Sequence, residues 1–239
     1  MELRARAYRL LVRRQGDRTF DFYRPSRSPV RSFLAQPLKD TTVAIVTTAG
    51  IFHRLTAEPF AVAPGRGDTT FRQIPIAADR SELSITPGRF DLRAAEIDLN
   101  VIYPLSAMRR AQARGTIGSV CATALSLHGH IPEPESLLKC TAPLAARRLK
   151  ELGAGAAIVV GACALGAQSA GLTALAFEAE GLPTVVITQW PQLARQAGAA
   201  RAQATPFPFG MTMGPPLVEP LHDWLLGRAL GQLTPRLPG

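Results

Sequence analysis

Cys163 is the residue of this chain with the clearest potential for chemistry. It follows a buried apolar run at 156–160, and a stretch of small residues at 161–167 separates that run from a helical pattern. A thiol between a strand and a helix start has its thiolate favoured by the positive end of the helix dipole. The position predicts either a nucleophilic thiol or, since unpaired cysteine is often buried, a small apolar side chain in a turn.

The segments around Cys163 alternate between strand and helix patterns. Strands are predicted at 42–48, 83–86, 117–122, 156–160 and 184–188, and helices at 5–14, 104–114, 144–152, 169–180, 191–197 and 221–233. This alternation predicts an α/β fold, with a mostly parallel sheet and helices on both faces. Ligands of such sheets bind at the carboxyl ends of the strands, where we expect Thr48, Cys163 and Gln189 to meet.

The composition favours one α/β domain with an irregular, basic N-terminal arm. The chain has 239 residues, 46% of them hydrophobic, which is enough for one large core. Nine Arg residues lie within 1–31, and prolines punctuate the linker that follows. We therefore expect an arm and linker over 1–38, either solvated or in contact with another subunit, and an α/β domain over 39–239.

Charge, cysteine content and motif spacing argue against several classes of function. Much of the net charge of +9 lies in the arm without a recognition motif, so nucleic-acid binding is the hypothesis we rank last. Three scattered cysteines and no membrane-length apolar stretch favour a cytoplasmic protein with no membrane association. His128 and His130 lack a third ligand nearby in sequence, and 161–166 lacks a phosphate-loop or dinucleotide signature, so we expect no metal and no cofactor.

Several short motifs occur in an order and spacing typical of one protein family. They are 42–50 (TVAIVTTAG), Gly67-Asp68 with 71–75 (FRQIP), 98–100 (DLN) before 103–105 (YPL), 141–143 (TAP) with 146–150 (ARRLK), 181–184 (GLPT) and 208–210 (PFG). Over about residues 38–220 the chain resembles the glycine/sarcosine/betaine reductase and D-proline reductase family of selenoprotein B-like subunits.

The resemblance implies a function for Cys163. The family's reactive selenocysteine or cysteine precedes the helix that leads to a Gly-Ile-Pro motif, and counting back from 181–183 that position is Cys163. Its sulfur would attack an activated carbon of a small amine, betaine or related substrate, displace the amine, and be released from the thioether by another thiol. The resemblance also implies a partner subunit or homo-oligomer and an external thiol reductant.

Further residues fit the family pattern, and others depart from it. Asp91, Asp98 and Asn100 fit and are expected to orient the substrate, although aspartate at such positions is often only a cap. The family's second cysteine, three residues after the first, is Gly166 here, and both histidines of its Ser-His-x-His-Tyr-Asp segment are absent from 86–91 (TPGRFD). Within this chain, Cys121 or Cys140 could resolve Cys163 only if the fold brings one of them close to it. These departures leave open an alternative, a non-redox small-molecule-binding or complex-forming protein on the same scaffold.

Overall fold

A central sheet organises the structure, which is a computed structural model that describes residues 5–10, 21–26, 28–62 and 67–234. Its strands follow from β-branched and apolar runs. In chain order they are β1 (Thr42–Thr47), β2 (Ile51–His53), β3 (Phe71–Pro75), β4 (Leu83–Ile85), β5 (Ser119–Val120), β6 (Thr123–Leu127), β7 (Ala156–Val160), β8 (Thr184–Thr188) and β9 (Ala202–Ala204).

The main sheet is mostly parallel. Within the described residues it has seven strands in the order β3-β6-β1-β7-β8-β9, with β5 beside the start of β1. All pairs are parallel except β3 with β6, and β2 pairs with β4 in a separate antiparallel ribbon. Because β7 and β8 are covered on both faces, every one of their residues is buried.

Helices cover both faces of the sheet. One core contains Val43, Ile45 and Ile158 with residues of the helices Leu105–Ala113 and Glu219–Leu230, and the other contains Ala44 and Val159 with residues of the helices Ala142–Glu151, Ala164–Ala179 and Pro191–Gln196. Alternate strand residues thus face opposite layers, and the predicted α/β fold is confirmed. The helices are α1 (residues 5–10), α2 (Arg93–Ile97), α3 (Leu105–Ala113), α4 (Ala142–Glu151), α5 (Ala164–Ala179), α6 (Pro191–Gln196) and α7 (Glu219–Leu230), with 3-10 turns Leu38–Asp40, Arg80–Glu82 and Leu99–Val101 and a π-helix Leu137–Thr141.

The most enclosed helix is α5, which carries Cys163 at its start. Nearly all of its side chains are buried, because strands, neighbouring helices and the N-terminal linker surround it. The Tyr23 backbone N–H donates to Gln168 Oε1 at 2.8 Å, and the backbone N–H of Ser32 donates to Glu178 Oε2 at 2.6 Å. The linker is therefore fastened to α5 at two points.

The sequence predicts some elements better than others. Strands β1, β7 and β8 and helices α3 and α6 lie within a residue of the predicted bounds, whereas α5 begins at Ala164, five residues before the predicted start at 169. The predicted strand at 117–122 is reduced to β5, and β3, β6, β9 and α2 lie in segments without a predicted element. Of the predicted helix at 5–14, residues 11–14 lie outside the described residues. The boundary near residue 38 stays a prediction.

Candidate functional site

Four loops at the carboxyl ends of neighbouring strands form the surroundings of Cys163. They follow β6, β1, β7 and β8, which are consecutive in the sheet. The loops carry Gly129, Thr48, Cys163 and Gln189, respectively. Adjacent parallel strands end at one edge of a sheet, which is where α/β proteins bind ligands.

The thiol of Cys163 lies at the N-terminus of α5. Cys163 is the N-cap residue, and its Sγ accepts a hydrogen bond from the Gly166 backbone N–H at 3.1 Å. The side chain is almost fully buried, with 2% exposure. Burial raises the pKa of the Cys163 thiol to about 11, against the opposing effects of the Gly166 and Leu165 backbone N–H groups and the charge of Arg89. Desolvation therefore outweighs the helix terminus, and the thiol is protonated at neutral pH.

Two glycines make room for the sulfur. A Cβ atom at Gly166 would lie 2.7 Å from Thr48 Oγ1 and 3.1 Å from Cys163 Sγ, and one at Gly129 would lie 3.2 Å from the same sulfur. Gly166 stands where the family resemblance expects a second cysteine. A cysteine side chain there would require Thr48 to move.

Thr48 and Gln189 connect the strand ends to the loops. Thr48 Oγ1 accepts a hydrogen bond from the Ala162 backbone N–H at 3.1 Å, so it joins the end of β1 to the loop before Cys163. Gln189 Nε2 donates to the Pro208 carbonyl at 2.8 Å, while Gln189 Oε1 is buried without a hydrogen-bond partner among the described residues. Thr48 borders the thiol, and Gln189 borders the cavity beside it.

An aromatic cavity of about 650 Å³ lies next to the start of α5. Its volume falls within the range of small-molecule sites. The loop at 205–209, together with α1 and the residues after β8, forms its walls. The lining residues are Ala7, Tyr8, Ala164, Gln189, Trp190, Thr205, Pro206, Phe207, Pro208 and Phe209.

The N-terminal arm takes part in this region. The Tyr8 ring stacks on Phe22 with 5.7 Å between centroids, and both rings contact Trp190 edge-on. Burial is the main cause that raises the pKa of Tyr8 well above its usual range, so its hydroxyl stays protonated. No local pattern in the sequence places Tyr8 at the site, because α1 contacts residues that are distant in the chain.

Two imidazoles flank Gly129. His128 is 3% exposed, and burial lowers its pKa against the opposing effect of hydrogen bonding to the Pro87 and His130 backbone. Burial, then the charges of Arg89 and His128, lower the pKa of His130 to about 4. Both rings are therefore neutral at pH 7. No group of three or more His, Cys, Asp or Glu within the described ranges is arranged to hold a metal ion.

The acidic residues predicted at the site are engaged within the protein. Asp91 is exposed and pairs with Arg93, whose hydrogen bonds lower the pKa of Asp91 to about 2. Asp98 caps the turn Leu99–Val101 by accepting from the Asn100 backbone N–H at 2.9 Å. Asn100 Oδ1 in turn accepts from the Ser106 backbone N–H at 2.8 Å. Asp98 and Asn100 thus have capping roles, and contact of all three residues with a substrate stays a prediction.

The other two cysteines are free and lie elsewhere. Cys121 is buried after β5, at the amino end of β1, so the length of a strand separates it from Cys163. Strands of five or six residues span roughly 17–20 Å, far beyond the Cα separation of a disulfide. Cys140 is exposed in the π-helix. The structure therefore excludes Cys121 as a resolving thiol without rearrangement.

The chain is similar to a protein of known name. The chain is 32% identical over 206 residues to D-proline reductase subunit gamma of Acetoanaerobium sticklandii, and the alignment covers 86% of this chain and 84% of that protein. No family profile matches the chain. No solved structure matches it either. Among the described residues no helix is long and apolar enough to cross a membrane.

Proposed function

The chain belongs to the family of D-proline reductase subunit gamma, and on that premise we propose that it is the thiol-bearing subunit of a cytoplasmic multi-subunit reductase. Cys163 is the nucleophilic or redox thiol of this subunit. The substrate is a small amine, betaine or related molecule whose C–N bond is cleaved reductively. Thr48, Gln189, Asp91, Asp98 and Asn100 are the proposed substrate-binding residues.

The position of Cys163 is the observation that carries this proposal. Its sulfur lies at the carboxyl edge of a parallel sheet, at a helix N-terminus, with a backbone N–H 3.1 Å from Sγ. A thiolate formed there would keep that hydrogen bond and gain the favourable helix terminus. The aromatic cavity begins at Ala164, the next residue, and supplies space for a substrate.

The proposed reaction balances with two thiols as reductant. The Cys163 thiolate attacks the carbon that bears nitrogen, an S–C bond forms, and the amine leaves with the electron pair and accepts a proton. A second thiol then attacks Sγ, the carbon departs with the S–C electrons and is protonated, and a disulfide forms. A third thiol reduces that disulfide and restores Cys163. In sum, two thiols become one disulfide as C–N becomes C–H and N–H.

The second thiol comes from outside the chain in this proposal. Cys121 lies at the opposite edge of the sheet, and the position three residues after Cys163 is glycine. An external dithiol, or a thiol of a partner subunit, fits this arrangement best. The relative is named as a subunit, which supports the need for partners.

The buried state of the thiol adds a requirement for opening. At 2% exposure and with a pKa of about 11, Cys163 is neither accessible nor ionised at pH 7. Substrate or partner binding must therefore admit water or a base to the sulfur before it reacts. We expect alkylation of Cys163 in the isolated chain to be slow and to accelerate in the assembled complex.

Turnover by the natively assembled complex, isolated through a tag on this chain, tests the proposal. Cleavage of the ring C–N bond of D-proline gives 5-aminopentanoate, which can be followed with dithiothreitol as the reductant. The Cys163→Ser complex should lose turnover by at least a thousandfold, because serine is not a thiolate nucleophile. Cys140→Ser, at an exposed cysteine, is the matched control and should retain activity, because the second thiol of this proposal is external; a loss of turnover would instead make Cys140 the resolving thiol.

The alternative function gives a different pattern. If Cys163→Ser leaves turnover unchanged, the thiol is not catalytic and the proposal fails. If neither protein turns over any small amine but both bind one with equal affinity, the chain is a non-redox binding subunit. The protonated, enclosed thiol is the observation that favours this alternative.

A further inference from the structure

Two segments of the N-terminal arm, residues 5–10 and 21–26, pack over the start of α5, and we call these two segments the cover. They belong to an apolar cluster that is separate from the two cores of the sheet. The cluster joins residues of the cover to residues of α5, α6 and the loop before α6, namely Ala5, Tyr8, Phe22, Ala164, Leu165, Ala167, Trp190 and Leu193. Because Ala164 and Leu165 directly follow Cys163, the cover lies over the turn that carries the sulfur.

The cover also forms one wall of the aromatic cavity. Tyr8 lines the cavity together with Ala164 and Trp190. The ring centroids of Tyr8 and Phe22 lie 6.3 and 5.5 Å from that of Trp190, and Phe22 is only 6% exposed. Removal of these two rings would uncover Trp190 and the first turn of α5. The cover therefore contributes to the exclusion of solvent from Cys163.

The cover is attached to α5 differently from the linker that follows it. In the cover, the Tyr23 backbone N–H donates to Gln168, which is a neutral hydrogen bond. Further along the chain, both the backbone N–H and the hydroxyl of Ser32 donate to the Glu178 carboxylate at 2.6 Å, and hydrogen bonds to a charged group are the stronger kind. Residues 28–31, between the two attachments, are all exposed. A stretch with so little packing can bend, so the cover can leave α5 while Ser32 stays bound.

From these contacts we propose that the cover is an autoinhibitory element, which keeps Cys163 closed in the isolated chain and lifts from α5 as a unit to let the sulfur react. Lifting separates Tyr8 and Phe22 from Trp190 and breaks the hydrogen bond of Tyr23, while the sheet and the attachment at Ser32 stay intact. The cover's regulatory role rests on the proposed function of Cys163, but its lifting can be measured without turnover.

Alkylation of Cys163 by iodoacetamide in the folded, full-length chain, followed by mass spectrometry, measures how often the cover lifts. Phe22→Ala removes a buried ring that contacts Trp190, so Cys163 should react about tenfold faster or more. Phe33→Ala is the matched control, because Phe33 is an aromatic residue of the same linker and is 60% exposed. It should leave the rate unchanged, since surface substitutions have small effects. Alkylation of the exposed Cys140 should be the same in all variants.

Urea separates lifting of the cover from unfolding of the whole domain. Lifting exposes little surface, so the alkylation rate of Cys163 should rise only weakly with urea below the unfolding transition seen by circular dichroism. A rate that rises as steeply as the equilibrium constant for unfolding would mean that Cys163 reacts only from the unfolded state, and it would overturn the proposal.

Amide hydrogen exchange gives a second measurement, which needs no substitution. The Tyr23 N–H belongs to the cover and the Ser32 N–H to the attachment that stays bound. After correction for intrinsic rates, the Tyr23 amide should exchange about tenfold faster or more than the Ser32 amide. Its opening constant should also equal the one obtained from the alkylation of Cys163. Equal protection of the two amides would overturn the proposal.

The outcomes separate the cover from the proposed function. Equal alkylation rates of Cys163 in Phe22→Ala and Phe33→Ala would overturn the cover, whatever Cys163 does in turnover. Turnover that survives Cys163→Ser would overturn the proposed function. In that case faster alkylation in Phe22→Ala, with unequal protection of the Tyr23 and Ser32 amides, still supports a cover that lifts.

Discussion

The two ends of α5 bury polar groups in opposite ways. At its C-terminal end, Glu178 accepts hydrogen bonds from Ser32 and from the Thr184 backbone N–H, and forms an ion pair with Arg201 that is almost fully buried. At its N-terminal end, a buried polar atom of each of His130, Gln168 and Gln189 has no hydrogen-bond partner among the described residues. One end is a closed network, in which Arg201 Nε is the one buried atom without a partner in the described ranges, and the other end has unused hydrogen-bonding groups.

The difference indicates that the C-terminal end of α5 stabilises the fold, whereas its N-terminal end serves function. Buried polar groups without partners cost free energy, so proteins retain few of them outside functional sites. The C-terminal network fastens the linker and β9 to α5, whereas the N-terminal end surrounds Cys163 and the cavity with small and aromatic residues. We therefore expect substitutions at the Glu178 end to change stability and substitutions at the Cys163 end to change reactivity.

The largest expected effect is the loss of unfolding free energy on removal of the buried Glu178 carboxylate. Glu178→Ala leaves the Arg201 guanidinium buried without its partner, and we expect the free energy of unfolding to fall by about 3–5 kcal/mol. Urea denaturation followed by circular dichroism measures the loss. Glu180→Ala, which removes the more exposed ion pair with Arg147, should cost less than about 1 kcal/mol. Similar losses in both variants would contradict the contrast between the two networks.

Alkaline pH should expose the buried thiol at the other end. Because burial raises the pKa of Cys163 from 9.0 to about 11, the unfolded state releases its proton first. The contribution of Cys163 to the free energy of unfolding is fully present below pH 9. It decreases by about 1.4 kcal/mol per pH unit as the pH rises, and it is lost once the pH passes through 11. Cys163→Ala should remove this part of the decline in unfolding free energy between pH 9 and 11. If the unfolding free energies of the native protein and of Cys163→Ala fall equally between pH 9 and 11, the Cys163 thiol is not desolvated.

Alanine at two helical glycines should give opposite signs. In Gly166→Ala the new Cβ lies 2.7 Å from Thr48 Oγ1, so we expect a loss of about 1–3 kcal/mol together with altered alkylation of Cys163. In Gly227→Ala the Cβ meets nothing within 4 Å, and the helix should gain about 0.5–1 kcal/mol. Thermal unfolding compares the two. A stabilising Gly166→Ala would mean that Thr48 moves freely and that the pocket around the sulfur is not tight.

The smallest expected effect is the loss of unfolding free energy as His130 is protonated at acidic pH. Burial lowers the pKa of His130 from 6.5 to about 4, so the unfolded state binds the proton first as pH falls. The stability that His130 contributes is present above pH 6.5 and is lost as pH falls through 4, by about 1 kcal/mol after solvent screening. His130→Gln should flatten the unfolding free energy over this range. If the unfolding free energy of His130→Gln falls with pH as steeply as that of the native protein, the His130 ring is in water and the site is not partly enclosed.

Local sequence patterns explain which parts of the fold were predictable. Strands β7 and β8 are continuous apolar runs, and such runs identify buried strands without tertiary information. The edge strand β3 mixes polar and apolar residues, and β9 has only three residues, so neither has a clear period. The start of α5 was placed too late because Gly166 lowers helix propensity, although the helix terminus needs a glycine beside Thr48.

Only those residues of the candidate site that directly follow a predicted strand could be predicted from the sequence. Cys163 and Thr48 follow strands, and the topology of a parallel sheet brings such positions together. Arg89 and Tyr8 lie in an irregular loop and in the arm, and their places depend on contacts with distant segments. The pKa of Cys163 likewise depends on how completely the chain encloses it, which the helix terminus alone does not reveal.

The bonds between the linker and α5 have a consequence for the order of events during synthesis. Tyr23 and Ser32 are bonded to residues 145 and 146 positions later in the chain. At about 5–20 residues per second, a ribosome needs roughly 7–30 s to make that intervening stretch. The segment that carries Tyr23 and Ser32 therefore waits for its docking surface, and the surroundings of Cys163 are completed only after α5 has been synthesised.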